Sequence, residues 1–552
     1  MTRRRGLPVL LAVALALAMT WPLALHLGTR TARVEAWGDP LYLTWQVAWL
    51  GHALLHEPLH ILHSNLYWPI KSNLTLTDVL FGYAPAGLVG AHGPQSALVV
   101  YNLLVIFTFA LAFLGAFLLA RELGAGEWGA AAAGAAFAYA PWKLDQLGHL
   151  QILSSGGIPL TVFLLVRGYR RGRGRLIVAG WLVAAWQMTL GFNLGLQLAY
   201  LLSVLSVVVL GGWIAHAGRR PSRAVLRASA LGVAVFVLVS AIVALPYIRV
   251  QHKYQEAKMP AAEVAYFSPP LRGFLTAPRY SLVWGDATKH RRRTLRWPVE
   301  QTLFPGVTVL LLALVGLLSA AYTLWLRAGV AVGTLVCFAL SLGLPSVDHP
   351  QRGLTLFQLL RDVAPGWNGV RTPGRINNLT SLGLALLAAA GLTFVVRHAR
   401  RRFGPNASAA VAAASVAAIL VEGYGPMPQA RVPARPPAEL TAPAPQLQLP
   451  TIVGLDGTYA YWSVGSFPKL ANAASSFDPH VVSEIRAVSK RFPDPRSVRF
   501  LRGIGVRSVV LHRSLARGTP WRKVDGRSTA GLGITRRNEG DLVVYDLGEV
   551  AS

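Results

Sequence analysis

The sequence is short of charge, of acid and of cysteine. Charged residues fill 14% of its 552 positions, against roughly 25% in an average soluble domain. Hydrophobic residues fill 53%, and the mean hydropathy is +0.43. This excludes a single soluble enzyme domain. It also excludes a disordered chain, which needs low hydrophobicity. The one cysteine, Cys337, excludes a disulfide framework and any cysteine-based zinc site. Acids are few: 24 Asp and Glu stand against 53 Lys and Arg, a net charge of +29. Lysine is rare too, 8 against 45 arginines, which reads as coding bias toward a GC-rich genome. No Walker motif is present, so no nucleotide fold is indicated. The basic residues lie between apolar segments. Membrane orientation explains them first, and no nucleic-acid partner is expected.

Apolar length is what the chain has in quantity. Met1-Thr-Arg-Arg-Arg5 runs into an apolar stretch from Leu7 to about Leu27. It is long for a cleaved signal, and no small-x-small site follows closely, so it reads as a retained first helix. Ten further segments follow, at 97–120, 126–140, 151–166, 176–190, 194–213, 228–246, 302–326, 330–344, 379–396 and 407–421. The expected architecture is mainly α, a polytopic transmembrane helical bundle of about eleven spans. With a cytoplasmic N-terminus, the inner connections hold Arg121, the arginines of 167–175 and 219–227, Arg327, and those of 397–402. The short outer loops are nearly free of Lys and Arg, as the positive-inside rule requires. The weakly apolar stretch 77–90 then has to be a helix within the first outer loop, since a span there would invert everything after it.

The expected layout is a membrane module, 1–424, with outer loops 28–96, 247–301 and 345–376. A Pro-rich linker, 425–450, leads to an extracytoplasmic α/β domain, 451–552. Within that domain 481–490 and 496–503 read as helices, and 506–512 and 542–547 as strands.

Polar chemistry collects on the outer side. Asp39 in Trp37-Gly-Asp-Pro40 reads as an acid at the start of an amphipathic helix on the membrane surface, either a cap or a base, with Glu35 four residues before it. Tyr67-Trp-Pro69 reads as an aromatic interface anchor, and Asp78 as the head of the loop's second helix. His52, His56, His60 and His63 lack the accompanying pattern of a metal site and read as interface histidines. Lys143, Asp145, His149 and Gln151 crowd one short outer turn, as an ion pair or a substrate-facing cluster. The loop 247–301 carries ten Lys and Arg among aromatics, with Arg291, Arg292 and Arg293 in one run, and suits an anionic lipid headgroup. Arg371 and Arg375 flank a Pro-Gly turn and can grip a phosphate or carboxylate.

This layout resembles the GT-C superfamily of integral-membrane glycosyltransferases. The resemblance is carried by the Arg-rich start, the first span running into a long outer loop, and the early Asp39. It is closer still to uncharacterised bacterial membrane proteins near that superfamily. They share segments like Tyr67-Trp-Pro69, Tyr101-Asn102, Gly148-His-Leu-Gln151, Leu303-Phe-Pro-Gly306, Arg371-Thr-Pro-Gly-Arg375 and Leu501-Arg-Gly-Ile-Gly-Val506. The resemblance implies an inverting hexosyl- or pentosyltransferase in the bacterial plasma (inner) membrane. It would move a sugar from a polyprenyl-phosphate carrier to an envelope acceptor on the outer face. It assigns the catalytic acid to Asp39; Glu35, four residues away, and Asp78, later in the same loop, are the further candidate acids. The chain departs from members with adjacent acids or an Asp-x-Asp pair, so a divalent cation is neither required nor excluded. The sequence leaves the oligomeric state open. A lipid or polysaccharide transporter and a non-catalytic envelope scaffold are the alternatives; the clean spans favour surface chemistry over transport.

Overall fold

The structure is a computed structural model that describes residues 6–32, 38–215, 221–345, 355–436, 442–474 and 477–548. The chain divides into two compact units. One comprises Met1–Leu25, Leu104–Leu245 and Lys258–Pro428; the other comprises His26–Leu103, Pro246–Ala257 and Gln429–Ser552.

The first unit is helical, and each of the eleven apolar segments carries a helix. Among the described residues six helical stretches are long and apolar enough to cross a membrane: Pro94–Leu123, Leu150–Arg170, Phe192–Ala215, Arg223–Lys253, Leu324–Ser341 and Pro373–Gly423. Leu7–Met19 and Val307–Leu318 are apolar but shorter. One expected boundary moves. Arg327 lies inside the helix Leu324–Ser341, not in a connection, because the chain breaks earlier and Thr323 caps the new helix by accepting from the Leu326 N–H at 3.4 Å. The last stretch breaks at Gly404, with φ 85 and ψ −179, just before Pro405.

Close helix contacts rest on small residues, as expected where lipid supplies no hydrophobic drive between helices. A Cβ on Gly316 would lie 1.9 Å from the Leu387 carbonyl oxygen, and one on Gly391 would lie 1.9 Å from that of Leu312. Backbone therefore packs on backbone between Val307–Leu318 and Asn377–Gly423. Basic connections gather at one end of this unit. Glu122 lies 3.5 Å from Arg167 and 3.9 Å from Arg171. The Tyr169 hydroxyl is 3.0 Å from that of Ser229, and the Gly126 N–H donates to Thr393 at 3.0 Å. The connections that the charge pattern assigns to one membrane face thus meet in space.

The second unit joins the first expected outer loop to the C-terminal residues. Its sheet runs β3-β4-β6-β5, from Gln446–Leu449 (β3), Ser508–His512 (β4), Thr535–Glu539 (β5) and Leu542–Asp546 (β6). β3 pairs parallel with β4, and the other pairings are antiparallel. Helices His480–Ser489 and Pro495–Gly503 cover a core that includes Leu447, Ile485, Phe492, Leu501, Val509 and Tyr545. Asp494 caps the second of them through a reciprocal box with Ser497, and Pro495 fits its first turn. The helices and strands expected at 481–490, 496–503, 506–512 and 542–547 are all present. A small antiparallel pair, Arg30–Ala32 (β1) with Gln429–Arg431 (β2), ties the early loop to the residues after the membrane module.

Candidate functional site

Asp39 lies in the first turn of the helix Gly38–His56 and is exposed, whereas every residue from Pro40 to Gly51 is buried. The helix is therefore an interior element of its unit. The expected amphipathic surface helix is corrected: its face pattern is lost because neighbours cover all sides. Gly51 and Gly87 allow Ala84–Gly90 to cross it at backbone distance, since a Cβ on Gly51 would lie 2.0 Å from the Gly87 carbonyl carbon. At its start, a Cβ on Gly457 would meet the Gly38 carbonyl oxygen at 2.3 Å. The helix Val453–Trp462 thus seats directly against the residue that precedes Asp39. Asp39 lies inside the helix Gly38–His56 and is not the residue ahead of it.

One turn further on, Tyr42 is buried, and its hydroxyl sits 3.0 Å from that of Thr77 and 3.5 Å from that of Tyr67. Burial pushes the Tyr42 phenol above its usual range, and the nearby Asp39 charge adds to this. Gln46 donates to the Asp78 carbonyl at 2.9 Å and accepts from the Leu80 N–H at 3.1 Å. Tyr247 accepts from the Val79 N–H at 3.0 Å and donates to the Thr77 carbonyl at 3.2 Å. Asp78 is half-buried in an extended connection and does not head a helix. Ala84–Gly90 begins later, at the position set by its first-turn Pro85, with Tyr83 ahead of it. Asp39 and Asp78 therefore belong to one hydroxyl- and amide-lined region, linked through Tyr42 and Thr77. Glu35 lies outside the described residues.

Tyr67-Trp-Pro69 also needs correction. Tyr67 is fully buried; its N–H donates to the Asn472 carbonyl, and that of Trp68 to the Leu470 carbonyl. The motif joins the early loop to the C-terminal fold and does not serve as a membrane anchor. Its partner is another segment singled out in the sequence: the Trp68 indole donates to the Ile504 carbonyl at 2.7 Å.

In the first unit, three expected site segments meet. Asp145 accepts a short 2.5 Å bond from the Thr302 hydroxyl, and Gln146 donates to the Val299 carbonyl at 2.7 Å. The guanidinium of Arg375 grips Glu300 with two N–H groups, at 2.5 and 3.2 Å. Gln197 donates to the Arg375 carbonyl at 3.3 Å. Arg292 feels the Asp145 charge and donates to the carbonyls of Ala277 and Gly285, both at 2.9 Å. It therefore braces its own loop, and of the run 291–293 it is Arg291 and Arg293 that are exposed. Arg371 forms an ion pair with Glu263 at 2.7 Å and lies over the Phe267 ring at 4.5 Å. Both arginines of the Pro-Gly turn thus have carboxylate partners.

Lys143 is fully buried, 4.4 Å from the Phe137 ring centroid and 3.4 Å from the Ser155 hydroxyl. Burial alone lowers its ammonium to about 7. His149 and Gln151 are half-buried in the same turn. The Leu303-Phe-Pro-Gly306 segment closes beside it. Gly306 has φ +100, and a Cβ there would lie 2.6 Å from a Glu422 carboxylate oxygen. That carboxylate accepts from the Thr308 hydroxyl at 2.7 Å. Sequence reasoning passed over Glu300, Glu263 and Glu422. Their signal was scarcity: in a chain with 24 acids, any acid bordering an apolar segment needs a partner.

Among the described residues no three His, Cys, Asp or Glu side chains gather as ligands for a metal ion. His52 and His56 stack on each other at 4.4 Å, and His60 and His63 at 5.3 Å.

No family model matches the chain, and no curated protein does. Solved structures do. The arabinofuranosyltransferase AftD from Mycobacteria aligns over 100% of this chain with a TM-score of 0.60 at 16% identity. An Archaeoglobus fulgidus oligosaccharyltransferase aligns over 94% of this chain and 70% of its own length, with a TM-score of 0.50 at 13% identity. The chain has the fold of the GT-C membrane glycosyltransferases. It spans about 40% of the length of AftD.

Proposed function

We propose that this chain is a multi-pass membrane glycosyltransferase that moves a sugar from a polyprenyl-phosphate carrier to an envelope acceptor on the outer face of the bacterial plasma membrane. The GT-C fold supports the class. The observation that carries the residue assignment is Asp39: an exposed carboxylate in the first turn of an otherwise buried helix, in the loop that follows the first apolar helix.

Asp39 takes the proton of the acceptor hydroxyl as its oxygen bonds to the anomeric carbon. The bond from that carbon to the carrier phosphate breaks, and the phosphate leaves with the electron pair. Attack from the opposite side inverts the centre. Tyr42 and Thr77 hold the surrounding polar region, with Asp78 as a neighbouring acid; Glu35, four residues before Asp39 in the sequence, is the further candidate. Arg371 and Arg375 are assigned to the carrier phosphate. Arg291 and Arg293 are assigned to anionic membrane lipid, with Arg292 bracing them. Lys143, Asp145, His149 and Gln151 shape the carrier-binding turn. Topology in this reading is eleven spans, N-terminus cytoplasmic and residues 451–552 outside.

The test is Asp39→Asn in the full chain, in lipid nanodiscs, with a radiolabelled polyprenyl-phosphate sugar. An amide in the first turn keeps most of the helix-end interaction but cannot accept the proton. Transfer should fall by a factor on the order of 10²–10⁴, with the protein still inserted and folded. Near-normal transfer would remove Asp39 from the chemistry and move the assignment to Asp78, then Asp145. Absence of transfer by the unaltered chain with every such carrier would favour the transporter or the scaffold.

A further inference from the structure

A cleft of about 540 Å³ opens in the second unit, floored by Trp68 and rimmed by Lys469, Arg502 and Arg507, with Gly505 and Gly548 among its walls. No acid lines it. We propose that this cleft binds an anionic glycan segment, a sugar chain bearing carboxylate or phosphate groups.

Three features point to that ligand. The first is a fixed aromatic platform. The Trp68 indole donates to the Ile504 carbonyl at 2.7 Å, and its backbone N–H is held by Leu470. The ring is half-buried, with its remaining surface toward the cleft. A flat, immobilised indole matches the apolar face of a pyranose at little entropic cost. Gly505, at φ +80, borders the indole edge, where a Cβ would sit in van der Waals contact at 3.5 Å.

The second feature is the positive charge of Lys469 and Arg502. Lys469 is exposed, its ammonium 4.9 Å from the Trp68 ring centroid. Arg502 is held by the carbonyls of Leu547 and Gly533, both at 2.7 Å. Carbonyls fix a guanidinium without neutralising it. Among the described residues no carboxylate pairs with Lys469 or with Arg502. This contrasts with Arg513 and Arg536, which share Asp525 in the same unit. A concave site lined by one sign of charge concentrates the opposite sign. The third feature is size: the volume falls within the 300–1,000 Å³ typical of small-ligand sites, enough for a short oligosaccharide. A phospholipid headgroup would use the cations but leave the platform without a purpose. The proposal does not rest on the transferase reading.

The experiment titrates the full chain in neutral-lipid nanodiscs with tetragalacturonate, with a neutral maltotetraose, and with vesicles of one-third phosphatidylglycerol. Tetragalacturonate should bind, and more weakly as salt rises. Lys469→Glu, an exposed change with little effect on folding, should weaken binding at least about tenfold. Trp68→Phe, which keeps an aromatic in the core contact but shrinks the platform, should weaken it as well. The proposal is overturned if maltotetraose binds as well as the acidic sugar, if Lys469→Glu binds like the unaltered chain, or if only the anionic vesicles bind in a Lys469-dependent way.

Discussion

Glu300 offers a sharp test of how the Pro-Gly turn works, because it holds the guanidinium that the transferase reading gives to the carrier. Its side chain is 6% exposed and that of Arg375 is 17%. The two oxygens take two parallel N–H groups at 2.5 and 3.2 Å. Glu300→Gln removes the negative charge but keeps the shape. The guanidinium is then left partly buried without its counter-charge, a loss of about 3–5 kcal/mol when one partner of a buried pair goes. The amide oxygen retains one acceptor, so about 3 kcal/mol is the expected figure. Intrinsic tryptophan fluorescence during thermal unfolding in detergent measures it. The same change should raise affinity for the carrier phosphate, since Glu300 and phosphate compete for one fork. A hydrogen bond to a charged group contributes about 1.5–3 kcal/mol, which is roughly 10–100-fold in Kd. The paired expectation is lower stability with tighter polyprenyl-phosphate binding. Arg375→Lys, keeping charge without the fork, should lose both the pairing and the binding. If Glu300→Gln unfolds at the usual temperature, the ion pair is not structural. If it is destabilised yet binds the carrier no better, Arg375 is a strut and not a phosphate ligand.

Two further expectations concern burial and packing. Lys143 has a folded pKa of about 7, well below its ordinary value, so the unfolded chain binds more protons between about pH 7 and 10.4 and stability rises across that window. Lys143→Met should therefore raise the melting temperature at pH 6 by several degrees and make less difference at pH 9; an equal effect at both values would refute the burial argument. Gly391→Ala places a Cβ 1.9 Å from the Leu312 carbonyl oxygen and should destabilise by about 1–3 kcal/mol or more, whereas Gly211→Ala, with nothing within 4 Å, should be neutral or stabilising by up to about 1 kcal/mol; equal melting temperatures for the two variants would sink the close-packing account.

The apolar helices of the first unit were legible because their signal is long-range. Each apolar segment is a dozen or more residues, long enough for its helix to stand out from local noise. Boundaries were less legible where one residue decides them. The break before Leu324 depends on Thr323 as a cap, while apolar content alone places it near Arg327. Two of the sheet's four strands, β4 and β6, were legible from β-rich runs; β3, inside the expected Pro-rich linker, and β5 were not, and neither was the sheet order. Order depends on which edges meet, and β3 lies parallel to β4 across more than fifty intervening residues.

The site was legible as a set of segments and illegible as a set of partners. Sequence reasoning treats an outer acid beside an apolar helix as amphipathic surface chemistry, because periodicity reports faces only when one face stays wet. The helix after Asp39 is covered by Ala84–Gly90 on one side and approached by Val453–Trp462 at its start, so no face stays wet and only its first turn remains open. The covering helix from beyond the linker is separated from Asp39 by more than four hundred residues, a distance at which no local pattern can signal contact. Its mark in the sequence is a single small residue, Gly457, whose missing side chain lets backbone meet backbone at Gly38. The C-terminal residues are therefore packed into the same unit as the Asp39 helix: Val453–Trp462 meets the backbone of Gly38, so any displacement of it reaches the first turn of that helix directly.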